Sequence, residues 1–377
     1  MRQVKRIETN REKSAYWKET VFEAAECTDC MDLVQLLPEV TEQTMEGFGG
    51  AFTESSAVNY NRLGREQQKE FIEAYFGEEG LRYNLGRVSV NSCDFALGNY
   101  TYVEEGDDKL ETFDISHDRK EILPFLVAAN AKTAEGTNTK GLKLLMSPWS
   151  PPAFMKTNGE MNHGGKLKDE YYAAWAEYFV KFIRAYQEAG ADIEWLTVQN
   201  EPMAVQTWDS CIYTSEDESR FVRDYLGPKL EEAGLSDIGI FVWDHNKEEG
   251  YQRFKEVIAD EKTRKYVKGG PNHVGNFCAA PIMCAPGEDS YEKRLTYYYI
   301  GHFSRYIKEG AVKIGTSRYT DGIEVTAFLN PDGERVAVIL NKSEKEVPYT
   351  LREMTKDAGY QGVEGVIAPH SIQTIVY

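Results

Sequence analysis

The chain has 377 residues, 41% of them hydrophobic, which is enough for one large hydrophobic core with a smaller one beside it. Its 61 acidic residues outnumber the 43 basic ones and leave a formal net charge of -18, which works against nucleic acid or an anionic membrane surface as partner. No stretch approaches a membrane span, and the polar N-terminus from Met1 to Glu8 has no apolar run, so the sequence reads as cytoplasmic. Of its 6 cysteines, Cys27 and Cys30 form a C-x-x-C with no second pair at metal spacing; reduced thiols are expected, with no metal and no cofactor. The 23 Tyr, 17 Phe and 6 Trp suit stacking on sugar rings, but they suit an ordinary core equally well.

In chain order, Val4–Thr9 reads as a strand and Tyr16–Val40 as short apolar patches. Gly47–Thr53 reads as a glycine-rich first strand, its glycines permitting close backbone approach. Gln67–Phe76 has the period of an amphipathic helix. Leu85–Val90 is a second strand, leaving through Asn91, Ser92, Cys93 and Asp94 into an extended loop past Tyr100 and Tyr102. A helix over Lys120–Thr133 precedes a third strand, Leu142–Ser147, which is stopped by Pro148, Pro151 and Pro152 around Trp149. The long helix Asp169–Glu188 leads to the apolar run Ile193–Gln199, closed by Asn200, Glu201 and Pro202. A fifth strand, Ile238–Trp243, exits at Asp244 and His245, and Gly250–Asp260 is helical.

Strands and helices alternating at this spacing predict a parallel α/β sheet closed as a barrel. Glu201, Asp94, Trp149 and Asp244 all fall at strand C-termini, where barrels place their chemistry. Read singly, each has a plainer explanation. Glu201 could be salt-bridged, Trp149 a loop anchor, Asp94 a turn former and Arg87 a structural ion pair. The end of the chain differs: Ile323, Val325 and Ala327 alternate with Glu324, Thr326 and Phe328, and Asn330 to Gly333 is a hairpin turn. Val336–Leu340 and Ile372–Tyr377 add further strands. The expected division is a barrel over residues 46–311 and a side β-sandwich built from 1–45 and 312–377.

Six motifs then occur in one order: Gly47–Thr53; Cys93-Asp94-Phe95 with Tyr100-Thr101-Tyr102; Ser147–Pro152; Asn200-Glu201-Pro202; Gly270-Pro271-Asn272; and Gly301-His302-Phe303-Ser304. Together they resemble the glucosylceramidase-type enzymes of glycoside hydrolase family 30, over roughly residues 45–345. The resemblance implies a (β/α)8 barrel with a β-sandwich and a retaining mechanism on a β-linked glycoside or oligosaccharide. Glu201 would be the general acid/base. Asn200 would bind the sugar 2-hydroxyl, Asp94 and Trp149 other ring hydroxyls, and Arg87 would orient the nucleophilic carboxylate.

A retaining glycosidase needs that second carboxylate about 5–5.5 Å from the first, supplied in the family at the end of strand seven. No such segment is found here. Lys265–Gly269 looks like the entry to strand six and Gly270–Phe277 like the loop after strand eight, so strands six to eight are expected to be missing at the Gly269–Gly270 junction. The stretch between Asn246 and Gly315 is too short for three more units of roughly 30 residues each, and a helix over Tyr291–Ile307 occupies part of it. Glu288, Asp289 and Glu292 lie in a polar loop with no strand before them. The sequence therefore predicts an incomplete barrel, an unpaired Arg87, absent or trace turnover, and self-association through open sheet edges. Rival readings are an active enzyme with Asp244 as second carboxylate, a non-catalytic carbohydrate-binding remnant, and a defective gene product.

Overall fold

In a computed structural model, residues 3–11, 15–26, 32–136, 141–270, 272–273, 280–285, 287–355 and 359–377 are described. The chain divides into two compact units, one of Gly49–Ile72 with Asn84–Ala279, the other of Met1–Phe48, Glu73–Tyr83 and Ala280–Tyr377.

The first unit is built on a six-stranded parallel sheet whose spatial order follows the chain. Its strands are Gly49–Phe52, Leu85–Val90, Lys143–Pro148, Ile193–Thr197, Gly239–Phe241 and Val267–Gly269. They are called barrel strands one to six below. Strands two and three pair in unbroken register from Leu85↔Lys143 to Val90↔Pro148. Their last residues are buried, as expected where helices cover a sheet from outside and side chains fill it from inside. The close approach of strands one and two requires glycine: a Cβ on Gly49 would lie 1.9 Å from the Leu85 carbonyl oxygen. The helix Tyr172–Glu188 turns Trp175, Phe179, Phe182 and Tyr186 inward, at the three- and four-residue spacing that makes one face apolar.

Strand five is shorter than its apolar run. It ends at Phe241 because Trp243 takes a left-handed backbone (φ 58°) and its carbonyl accepts the His245 N–H at 2.8 Å. The following helix is Gly250–Val257. Strand six exists as the three-residue stub Val267–Gly269 beside strand five. Beyond it, His245–Asn246 pairs in parallel with Asn272–His273. Among the described residues no further strand joins this sheet, so it ends at strand one on one side and at the stub on the other.

The second unit carries a ten-stranded sheet. The N-terminal strands Gln3–Asn10, Ala15–Glu23 and Leu33–Thr44 share it with Val312–Arg318, Glu324–Leu329, Arg335–Asn341, Val347–Thr355, Gly359–Ile367 and Ser371–Val376. Its inner face buries Val4, Val34, Ile314, Ile339, Leu351, Val363 and Ile375 together, in the manner of a sandwich. Ile7, Phe328, Val338 and Ile372 form a second cluster with Ile307 and Ala311. The hairpin turn at Asn330 forms as its sequence dictates, with the Gly333 N–H donating to the Asn330 carbonyl at 2.9 Å and Gly333 at φ 87°. The helix expected over Tyr291–Ile307 is shorter: Tyr291–Lys293 is a strand paired with Ile282–Cys284, and the helix is Leu295–Ser304.

No helix among the described residues is long and apolar enough to cross a membrane. Cys93 and Cys211 are buried free thiols and Cys284 is a partly buried one. Cys27, Cys30 and part of the Gly270–Phe277 segment lie outside the described residues.

Candidate active site

Arg87 stands on barrel strand two and is the hub of the strand-end cluster. Its Nη2 donates to the Asp244 carboxylate at 2.7 Å and to the Asn200 side-chain oxygen at 2.9 Å, and its Nε donates to Ser147 Oγ at 3.1 Å. Its guanidinium lies over the Trp149 ring, 4.5 Å from the centroid. The expectation that Arg87 faces an empty position is therefore corrected. Asp244, 1% exposed, neutralises it from the turn just past strand five, and a cation paired in this way does not carry the cost of a bare buried charge.

Asp244 is itself saturated on one oxygen. Its Oδ2 accepts from Arg87, from Thr197 Oγ1 at 2.9 Å and from Ser147 Oγ at 3.1 Å. Its backbone carbonyl accepts the Glu201 N–H at 2.8 Å, and Asn200 and Asp244 form a parallel bridge at the mouth of strands four and five. Asn200 N–H donates to the Pro148 carbonyl at 2.8 Å, which joins strand three to the same point. Gln199, fully buried, donates to the carbonyls of Trp149 and Asn200 at 2.7 and 2.9 Å, so the Trp149 loop and the Asn200 backbone share one anchor.

Glu201 has φ 45°, Trp243 φ 58° and Asn91 φ 64°. Three non-glycine residues in the left-handed region, each just past a barrel strand, hold strain that only a well-determined surrounding maintains. Such strain gathers where side chains must be aimed. Glu201 is half-buried at this mouth. Asp94, exposed as a residue, has its carboxyl beside Trp149. Loss of water there and the neighbouring Glu201 carboxylate hold it above the usual carboxylate range, against the pull of Arg87. The structure thus brings Arg87, Asp94, Trp149, Asn200 and Glu201 to one place on the first unit.

Glu288, Asp289 and Glu292 belong to the other compact unit, and Glu292 pairs with Arg294 at 2.8 Å. Among the described residues no group of His, Cys, Asp or Glu is arranged to hold a metal ion. In the sequence Asp244 reads only as a rival nucleophile, and Thr197 has no assigned role. Its signal was present: a hydroxyl at the end of an apolar strand, like Ser147, has to find a partner. Glu218, on the helix Ser215–Phe221, gives no signal in the sequence apart from its neighbours Glu216 and Asp217.

Residues 45–269 and 267–307 match the sequence profile of the glycosyl hydrolase family 30 TIM-barrel domain, and residues 310–375 match the family's β-sandwich domain. The chain belongs to glycosyl hydrolase family 30. The barrel match to this family 30 chain comes in two pieces that meet at 267–269, where the sheet stops at its sixth strand. The lysosomal acid glucosylceramidase of Mus musculus is 28% identical, taking in 92% of this chain and 83% of the relative. That alignment runs over 439 positions, more than the 377 residues present here, so part of the relative has no counterpart in this chain. An endo-1,6-beta-D-glucanase of Aspergillus fumigatus is 25% identical, over 82% of this chain and 81% of the relative. The crystal structure of SrfJ from Salmonella typhimurium superimposes with a TM-score of 0.92 at 30% identity, covering 100% of this chain and 99% of that one.

Proposed function

We propose that this family 30 chain recognises a β-linked glycoside at the Arg87–Asp244 cluster, with Glu201 as the acid/base carboxylate of a retaining glycosidase site, and that it turns substrate over at most in trace. In that role Glu201 would protonate the departing glycosidic oxygen and then take a proton from the attacking water. Asn200 beside Arg87, Trp149 beneath it and Asp94 on the strand-two loop would hold ring hydroxyls. The relatives named as a glucosylceramidase and an endo-1,6-beta-D-glucanase make a β-glucoside the first ligand to try.

The observation that carries the turnover half of this reading is the commitment of Asp244. A displacement needs a carboxylate facing the anomeric carbon from the side opposite the acid/base. Asp244 Oδ2 accepts from Arg87, Ser147 and Thr197 at once, which ties that oxygen into the strand-end cluster as a scaffold. A site that lacks an opposing carboxylate gives the oxocarbenium-like centre no support from that face, and no covalent intermediate forms there.

The test is hydrolysis of a fluorogenic β-glucoside by the purified full chain, together with binding of 1-deoxynojirimycin, a cationic glucose mimic. Binding without robust turnover supports the reading. Robust turnover would mean that a nucleophile is in place and that Asp244 or another carboxylate has been misassigned. Where trace activity is measurable, Glu201→Gln should depress it on substrates with poor leaving groups and spare activated ones, because only the former need protonation. Equal loss on both would remove Glu201 from the acid/base role.

A further inference from the structure

Glu218 lies on the short helix Ser215–Phe221 and has no solvent exposure. A buried carboxylate is expensive unless it is paired and hydrogen-bonded. Its Oε1 accepts the backbone N–H of Trp243 at 3.0 Å, the residue immediately before Asp244. Its Oε2 lies 3.5 Å from Arg253 Nη2. The same Arg253 nitrogen donates to the Tyr213 carbonyl at 2.9 Å, and its guanidinium covers the Trp243 indole at 5.0 Å. Tyr213 N–H in turn donates to the Pro202 carbonyl at 2.9 Å, one residue past Glu201. The Glu201 N–H donates to the Asp244 carbonyl at 2.8 Å.

These contacts close into a ring: Glu218 to Trp243, Asp244, Glu201, Pro202, Tyr213, Arg253 and back to Glu218. Two of its members, Trp243 and Glu201, are the ones held at left-handed φ. We infer that Glu218, held by Arg253, is a positioning residue that fixes the strained turns aiming Asp244 and Glu201. It touches neither a sugar nor the reacting atoms. It acts by pinning the Trp243 amide, so that the Asp244 carbonyl stays where the Glu201 N–H meets it and the Asp244 carboxylate stays on Arg87. The clamp rests on the reading of Glu201 as acid/base only for its catalytic meaning; the mechanical claim stands on the ring itself.

The test compares native, Glu218→Gln and Glu218→Ala proteins by site-resolved amide hydrogen exchange, with 1-deoxynojirimycin binding measured in parallel. Glutamine keeps a carbonyl oxygen for the Trp243 N–H, whereas alanine leaves that buried donor without its acceptor. In Glu218→Ala the Glu201 amide should exchange about tenfold faster, with amides of strands two and three unchanged and most of the protection restored in Glu218→Gln. Probe binding should weaken in the same order. Equal protection of Glu201 in all three proteins overturns the proposal, as does a loss spread evenly over the strands, which would mark a general packing role. Native protein that fails to bind the probe, while Glu201 protection still falls in the alanine variant, would sink the glycoside reading and leave the clamp standing.

Discussion

Glu218 carries a second consequence at the scale of one residue. Burial pushes its carboxyl up to about 7 from an ordinary 4.5, with Asp244 adding to the rise and the Trp243 N–H and Arg253 opposing it. Between those pH values the folded chain holds a proton that the unfolded chain has released, so this group's contribution to stability is full at low pH and lost as pH rises to about 7. The loss is on the order of a few kcal/mol. Urea midpoints of native and Glu218→Gln proteins should therefore diverge in favour of the variant between pH 5 and 7.5, and parallel midpoints would contradict the burial penalty. Lys156 has the opposite sign. It is fully buried, its Nζ donates to the carbonyls of Met161 and Ser210 at 2.9 and 2.6 Å, and burial pushes it down to about 8 from 10.5. A neutral amine still has two N–H groups for those two carbonyls. Stability relative to Lys156→Met should accordingly rise with pH between about 8 and 10.5, because there the unfolded chain binds the extra proton. Lys156→Met itself should cost about 1–3 kcal/mol at neutral pH, since it strands two buried acceptors. Neither residue was legible in the sequence. A lysine after a proline-rich loop and a glutamate in an acidic helix turn look like surface charges until the tertiary fold covers them. Glu201 was legible because Asn200 and Pro202 bracket it at the end of an apolar run.

At the scale of elements, the loops leaving strands two, three and four are tied together by Asp209. Its Oδ1 accepts from Ser92 Oγ at 2.6 Å and from Asn99 Nδ2 at 2.9 Å, and Asn162 bridges to it while donating to the Thr207 carbonyl at 3.1 Å. The Asp94 loop and the Glu201 loop thus share one buried acceptor, Asp209 being 4% exposed. Asp209→Ala should remove the shorter acceptor of the buried Ser92 hydroxyl, leaving it the Tyr100 carbonyl at 3.2 Å, lower stability by about 1–3 kcal/mol, and open both loops to limited proteolysis. Cleavage that stays as slow as in the native chain would show that the loops are held by something else. The sequence revealed strands where period and punctuation agreed, as at Leu85–Val90 and Ile193–Thr197. It misled where they conflicted. The run Ile238–Trp243 is continuous in hydropathy, but the turn at Trp243 stops the ladder at Phe241. The tyrosine-rich stretch from Tyr291 suggested a helix throughout, yet Tyr291–Lys293 takes a β partner in Ile282–Cys284 and the helix starts only after Arg294, whose N–H donates to the Pro281 carbonyl at 2.8 Å. Val347–Thr355 and Gly359–Ile367 went unread because Pro348, Gly362 and Gly365 interrupt their alternation, although in the sheet they pair along their full length.

At the scale of the whole molecule, the parallel sheet of the first unit has two outer strands among the described residues, Gly49–Phe52 and Val267–Gly269, where a closed barrel has none. Gly49, Gly50 and Ala51 are exposed along the first of these, with backbone groups available to another chain. An open edge of this kind favours association, so the weight-average mass in solution should rise with concentration. A species that stays monomeric across a wide range would show that the edges are protected. The same shortening underlies the functional prediction. The family match breaks at 267–269, and the sheet stops at its sixth strand in the same place. A chimera carrying the corresponding segment of the mouse glucosylceramidase relative between Gly269 and Gly270 should supply strand partners and a carboxylate facing Glu201 together. It should be less prone to associate than the native chain and should hydrolyse a fluorogenic β-glucoside at least about a hundredfold faster, a modest part of what covalent catalysis contributes. In that chimera Glu201→Gln should again abolish the gain on substrates with poor leaving groups. A chimera that folds and stays monomeric yet gains no turnover would show that the defect lies in the Arg87–Asp244 cluster rather than in the missing wall. Freeing Arg87 with Asp244→Asn would then be the variant to measure.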